Sequence, residues 1–296
     1  MTSGIPLAFA AYFGFSLSDA MIKLAGRHAT VFEIAFFVTL FSIIPIIASK
    51  PSELRWRHVL KMNRPLIVNL RGISGTLGGM CAIYAFTHLP LAEAYALIFL
   101  IPLFVTLLSV VILREPVGIR RWSAAILGFV GILLVVRPGF KEFTPAHLAG
   151  IGIAFFGAMT IILLRTLSTS ENRTTIMSIV IPYALVANGA MMLLDGFAWP
   201  DRQLMLVLLA AGLLTGIGHF CITTATRLTP ANRVAPVQYS QIIWAVVFGW
   251  LIFSELPDIW TFVGLIVVGL SGLITFIREE VRFGWSRKVP LIRNRL

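Results

Sequence analysis

The 296-residue chain is 58% hydrophobic and only 12% charged, with a mean hydropathy of +0.90. Soluble domains carry about 25% charged residues, so a water-facing surface is excluded and lipid is the solvent. A net charge of +11 raises the question of nucleic acid, but the Lys and Arg stand between apolar runs without a basic helix or motif, and no nucleic-acid partner is expected.

Ten runs of about 20 apolar residues, the length that crosses a hydrocarbon core, follow in chain order. They lie at 5–25, 30–48, 66–87, 91–113, 119–137, 146–165, 175–195, 204–227, 232–254 and 258–278, and are numbered here spans 1 to 10. The expected fold class is an all-α polytopic membrane protein. The first run has no basic leader before it and reads as a span, with no cleaved signal expected. Joints such as "HLPLAE" at 88–93, "REPVG" at 114–118 and "LTPAN" at 228–232 carry proline, which stops a helix by removing a donor and crowding the preceding turn. The only two cysteines, Cys81 and Cys221, lie inside apolar runs and suggest neither a disulfide framework nor a metal site; no cofactor is expected.

An offset of 140 residues places Gly78 on Gly218, Cys81 on Cys221, Ala85 on Ala225, Pro90 on Pro230, Ile112 on Ile252 and Glu115 on Glu255. This predicts two five-helix repeats, 1–140 and 141–278, followed by a basic cytoplasmic tail at 279–296. Five is odd, so the repeats lie in the membrane with opposite orientation, a construction used by secondary transporters. Of the 24 Lys and Arg, 18 fall on the side of the termini and 4 on the other, with Lys23 and Arg71 inside spans. The positive-inside rule therefore predicts cytoplasmic termini, with anionic headgroups as the tail's partner.

Polar residues inside spans are costly and need a reason. In span 1, Asp19 and Lys23 share a face toward the external end; a structural ion pair and an external gate or zwitterion contact are both open readings. Glu33 and Glu93 open spans 2 and 4, where helix dipoles favour a carboxylate, and capping is expected. Arg71, near the cytoplasmic end of span 3, either snorkels or faces the interior. Tyr84 and Tyr95, on spans 3 and 4, are candidate walls of a binding site. Pro102 in span 4 and Pro236 in span 9 free the carbonyls of Ile98 and Asn232 and mark helix breaks in matching regions of the two repeats. In span 8, His219 lies mid-membrane, opposite Gly79 of the first repeat. Span 9 holds "VQYSQIIW": Gln238, Tyr239, Gln241 and Trp244 are candidate cavity residues, because the matching positions 98, 101 and 104 are apolar. The glycines of spans 3, 5, 8 and 10 are expected to serve close packing.

The stretches "FTHLPLAEAYALIFLIPLFVTLLSVVILREPVGIRRWSAAILGFVGILLVVRPG" at 86–139 and "APVQYSQIIWAVVFGWLIFSELPDIWTFVGLIVVGLSGL" at 235–273 resemble the drug/metabolite transporter superfamily, specifically its ten-helix carriers built of two EamA-type domains. The resemblance covers nearly the whole chain. It implies a central cavity lined by spans 1, 3, 4, 6, 8 and 9 and a small-molecule substrate of the kind such carriers move, including amino acids, flavins and S-adenosylmethionine. No GxxxxGK[ST] loop is present, so a secondary carrier is expected. An exporter of amino acids and related metabolites in a bacterial inner membrane is the first expectation, and uptake of a flavin or S-adenosylmethionine the alternative. Neither HExxH nor paired membrane carboxylates occur, so an enzyme is not expected. Coupling, and monomer against homodimer, stay open.

Overall fold

In lipid the backbone can satisfy its polar groups only within helices or a closed barrel, and uninterrupted apolar runs leave helices as the solution. The computed structural model describes residues 4–48, 62–114, 117–167, 171 and 179–272. Among these the ten spans are Ile5–Ala25, Val31–Ala48, Pro65–His88, a two-part span 4 (Leu91–Ile98 and Ile101–Val111), Ile119–Val136, Pro145–Leu167, Val180–Leu194, Arg202–Leu228, a three-part span 9 and Ile259–Gly272. Span 9 runs Ala231–Val234 as α-helix, Ala235–Tyr239 as 3₁₀-helix and Ser240–Phe253 as α-helix. The Lys and Arg at 49–61, Glu115 and the tail at 279–296 lie outside the described residues. Among the described residues, six helices are long and apolar enough to cross a membrane, and four are shorter and apolar.

Local chemistry sets the helix ends. Proline stands in the first turn of spans 1, 3 and 6, where its missing N–H has no partner to lose. Thr30 and Glu33 form a reciprocal capping box: the Thr30 N–H donates to Glu33 Oε2 at 2.8 Å and the Glu33 N–H to Thr30 Oγ1 at 3.3 Å. Asp201 caps span 8 by accepting from the Leu204 N–H at 2.7 Å. Spans 5 and 9 end at Arg137 and Ser254, both left-handed with φ of 45° and 59°. Large apolar side chains such as Val186, Leu194 and Leu66 face outward, which suits lipid and would be a liability in water.

Spans 1 and 8 run antiparallel in close contact. Ser18 Oγ donates to the Ala211 carbonyl at 2.9 Å and lies 2.8 Å from Thr215 Oγ1, and the Gly4 N–H reaches Thr229 Oγ1 at 2.8 Å. Spans 3 and 6 pair likewise, with Ser74 Oγ donating to the Phe156 carbonyl at 3.1 Å. Glycines 140 residues apart are used alike. Gly72 and Gly212 accept Tyr183 of span 7 and Phe41 of span 2, while Gly78 and Gly218 accept Phe156 of span 6 and Phe15 of span 1. Spans 5 and 10 touch backbone to backbone: a Cβ on Gly264 would lie 2.5 Å from the Gly131 carbonyl oxygen, and one on Gly131 2.9 Å from that of Gly264. Gly79 departs from the packing expectation, since a Cβ there would meet nothing within 4 Å.

Candidate transport site

Spans 1, 3, 5 and 9 finish at one end of the bundle, called here the far end. One turn inside it on span 4, Tyr95 is only 1% exposed. Its hydroxyl contacts Asp19 Oδ2 and lies 3.1 Å from Ser16 Oγ, and Gln241 Nε2 donates to it at 3.2 Å. A phenol has one proton to give and two lone pairs to offer. The charge-assisted contact to the carboxylate takes the proton, leaving the oxygen to accept from Gln241 and Ser16. Spans 1, 4 and 9 therefore meet in one polar node that ties residues 16–95 to residue 241.

Breaks in spans 4 and 9 flank this node. Span 4 is interrupted at Phe99 and Leu100, and Pro102 is the second residue of its second helix. Pro236 lies in the 3₁₀ segment of span 9. The Phe99 and Tyr239 rings stack across the two breaks, 4.8 Å apart and 12° from parallel. Gly272 makes room for Tyr239: a Cβ there would fall 1.7 Å from the ring.

The remaining candidates separate. The change from 3₁₀- to α-helix turns Gln238 and Gln241 off a common stripe: Gln241 is buried at the node, and Gln238 is half-buried. Trp244 packs with Phe13 and Phe248, centroids 4.9 and 5.9 Å away, and its Nε1 is buried without a hydrogen-bond partner among the described residues. Tyr84 stacks on His88 at 4.3 Å and stands apart from the node, where Phe86 packs against Tyr95 instead. His219 is exposed, with its ring 5.1 Å from that of Phe15. Arg71 is 6% exposed and so does not snorkel, and its Nε and Nη1 are buried without hydrogen-bond partners among the described residues. By helix rise Arg71 sits roughly 26 Å below the far end of its span and Asp19 roughly 9 Å below the end of its own, too far apart in depth to act together.

Asp19 and Lys23 do not pair in the structure. Lys23 Nζ donates to both Glu255 carboxylate oxygens at 2.6 and 2.8 Å and to the Leu89 carbonyl at 2.7 Å. Glu255 has the better reach because the left-handed turn at Ser254 folds the chain back, placing the Glu255 N–H 2.9 Å from the Gly249 carbonyl. Glu93 is likewise more than a cap. Lys141 donates to its Oε1 at 2.6 Å, and His147 Nε2 lies 3.7 Å from its Oε2. The Thr144 N–H donates to His147 Nδ1 at 3.1 Å, which leaves the ring proton of the neutral form on Nε2, facing Glu93. Arg137 pairs with Asp258, and Lys141 lies 3.5 Å from the same carboxylate.

Sequence reasoning missed Ser16, Lys141, His147 and Asp258. Ser16 was findable, since it sits three residues before Asp19 on the same helical face. The other three are joined to the site only by tertiary contact. A cavity of about 330 Å³ opens among these far-end charges, lined by Glu93, Lys141, Gly249, Glu255, Asp258 and Thr261. Burial pushes the Asp258 carboxyl upward, but the Thr261 backbone N–H at 2.8 Å, Lys141 and Arg137 outweigh it and hold the group at about 2.

Ten apolar helices with buried polar contacts between them define a multi-pass membrane protein. The profile of the EamA-like transporter family matches residues 2–137 and 144–277, and the chain belongs to that family. It is similar to the S-adenosylmethionine uptake transporter of Rickettsia prowazekii (28% identity, 90% of this chain and 89% of that one) and to the riboflavin transporter of Vibrio cholerae (28%, 71% and 70%). It is equally similar to the pseudopaline exporter of Pseudomonas aeruginosa (29%, 92% and 96%). A crystal structure at 17% identity shares the fold, with a TM-score of 0.64 over 92% of this chain and 96% of that one. The protein is thus a membrane transporter, and its relatives act on small molecules.

Proposed function

We propose that the chain is a secondary carrier that moves small polar organic solutes by alternating access, with amino acids and related metabolites exported across a bacterial inner membrane. The observation that carries this reading is the node of Asp19, Tyr95 and Gln241: hydrogen-bonding groups brought together inside the bundle by spans from both halves. One amide, a phenol and a carboxylate beside stacked rings offer both donors and acceptors, which suits a polar organic solute better than a bare ion. Residues 1–140 and 141–278 are read as inverted repeats, supported by the equivalent use of Gly72 with Gly212 and of Gly78 with Gly218.

The far end is taken as the external face, with both termini in the cytoplasm, on the distribution of Lys and Arg. Lys23 and Glu255, from opposite halves, then close that face in this conformation. A second reading, uptake of a larger metabolite, is favoured by the relatives named for S-adenosylmethionine uptake and riboflavin transport.

Counterflow in proteoliposomes tests both. Vesicles preloaded with unlabelled amino acids, or with S-adenosylmethionine and riboflavin, are given labelled tracer outside. Tracer entry with the amino-acid set, weakened by Gln241→Ala, supports the first reading. Entry only with the larger metabolites supports the second, and no entry with either removes both.

A further inference from the structure

Asp19 is a carboxylate within a span and has no cation paired with it among the described residues. Lys23, one turn along the same face, is committed to Glu255 and the Leu89 carbonyl. Arg27 lies further on, over the Phe253 ring, and Arg71 is far deeper. Among the other groups facing the node, Ser16, Tyr95 and Gln241 are neutral, while Glu93 is turned toward Lys141 and His147. Asp19 Oδ2 accepts the hydrogen bond donated by the Tyr95 hydroxyl. Among the described residues its Oδ1 takes no hydrogen bond, and Asp19 as a residue is half-buried. Tyr95, already accepting from two groups, acts only as a donor that fixes the carboxylate. A carboxyl group at membrane depth calls for a positive partner or a proton, and no neighbouring side chain among the described residues supplies the partner.

We propose that Asp19 Oδ1 docks a primary ammonium group of the carried solute, with Tyr95 as the residue that positions the carboxylate and Gln241 linking it to the second half. The proposal rests on the carrier reading above and narrows it to amine-bearing solutes. It also gives the i, i+4 spacing of Asp19 and Lys23 a purpose. Once Lys23 leaves Glu255, it lies one turn from Asp19 and competes with the solute for the same oxygen, so a loaded and an empty carrier differ in where that lysine rests.

The test uses the full chain in detergent and in proteoliposomes, with L-phenylalanine and L-lysine each beside its fully N-acetylated form, S-adenosylmethionine, and riboflavin as a probe without an ammonium group. The wild type is expected to gain thermal protection from at least one free amine and none from its acetylated form. Asp19→Asn should weaken that binding tenfold or more, Tyr95→Phe two- to fivefold, and Asp19→Glu should retain the preference for free amines. The glutamate variant keeps the test decisive if the asparagine variant fails to fold. Equal protection by free and acetylated forms, undiminished amine binding in Asp19→Asn, protection by riboflavin alone, or no protection by any amine overturns the proposal. Counterflow with the same probes reads the carrier assignment separately, since amine-selective binding without flux keeps the Asp19 site and removes the carrier.

Discussion

Lys23 and Glu255 lie 232 residues apart in sequence, and their charged groups stand 2.6 Å apart where the ends of spans 1 and 9 meet. The lysine is 11% exposed and the glutamate 32%, so water weakens the pair only in part. Removing one partner of a buried pair strands the other, at a cost of about 3–5 kcal/mol when burial is complete. A half-shielded carboxylate lowers that to roughly 1–3 kcal/mol. Lys23→Met and Glu255→Gln should each lower the melting temperature and speed labelling of a cysteine at Ala245 from the far end. The exchanged pair, Lys23→Glu with Glu255→Lys, should recover part of both. Additive effects in this double-mutant cycle would show that the two residues do not act as a pair.

Asp258 gives a pH dependence whose sign is set by its environment. Its carboxyl is depressed from 3.8 to about 2, so its ionised form stabilises the fold in full above the unfolded value and is lost as pH falls through the folded one. Asp258→Asn should therefore melt below the wild type from neutral pH down to about pH 4, with the gap closing between about pH 4 and pH 2. A gap that instead closed near neutrality would mean that Arg137 and Lys141 do not hold this group.

Glycine substitutions separate packing from open space. Gly264→Ala places a methyl 2.5 Å from the Gly131 carbonyl oxygen, where only backbone movement can relieve it, and should destabilise by about 1–3 kcal/mol through overpacking. Gly79→Ala meets nothing within 4 Å and should be neutral or stabilising by up to about 1 kcal/mol, from helix propensity alone. Thermal melts of the two variants side by side check both signs.

Gln241→Leu removes one donor to the Tyr95 hydroxyl and should cost about 1 kcal/mol of stability. Its effect on flux should be larger, because the link from span 9 to the node is lost while the fold stays intact. Counterflow rates normalised to folded protein test this; a wild-type rate would place the solute path elsewhere.

Much of the architecture was legible in the chain because lipid leaves few choices. Apolar runs of span length, proline at the joints and the capping carboxylate Glu33 depend only on local chemistry, and ten helices follow from them. Tyr95 and Gln241 were also visible as polar groups in oil. Their partners were not. Asp19 and Lys23 look like an ion pair by spacing, yet the fold gives Lys23 to Glu255 and Asp19 to Tyr95. Tyr84 and Trp244 share the chemistry of the node but face His88 and Phe13 instead. Sequence by itself determined the helices and their burial in lipid, since these rest on runs of neighbouring residues. Only the tertiary structure decided which charges meet, because helix crossing and the left-handed turn at Ser254 bring together residues from 48 to 232 apart in the chain.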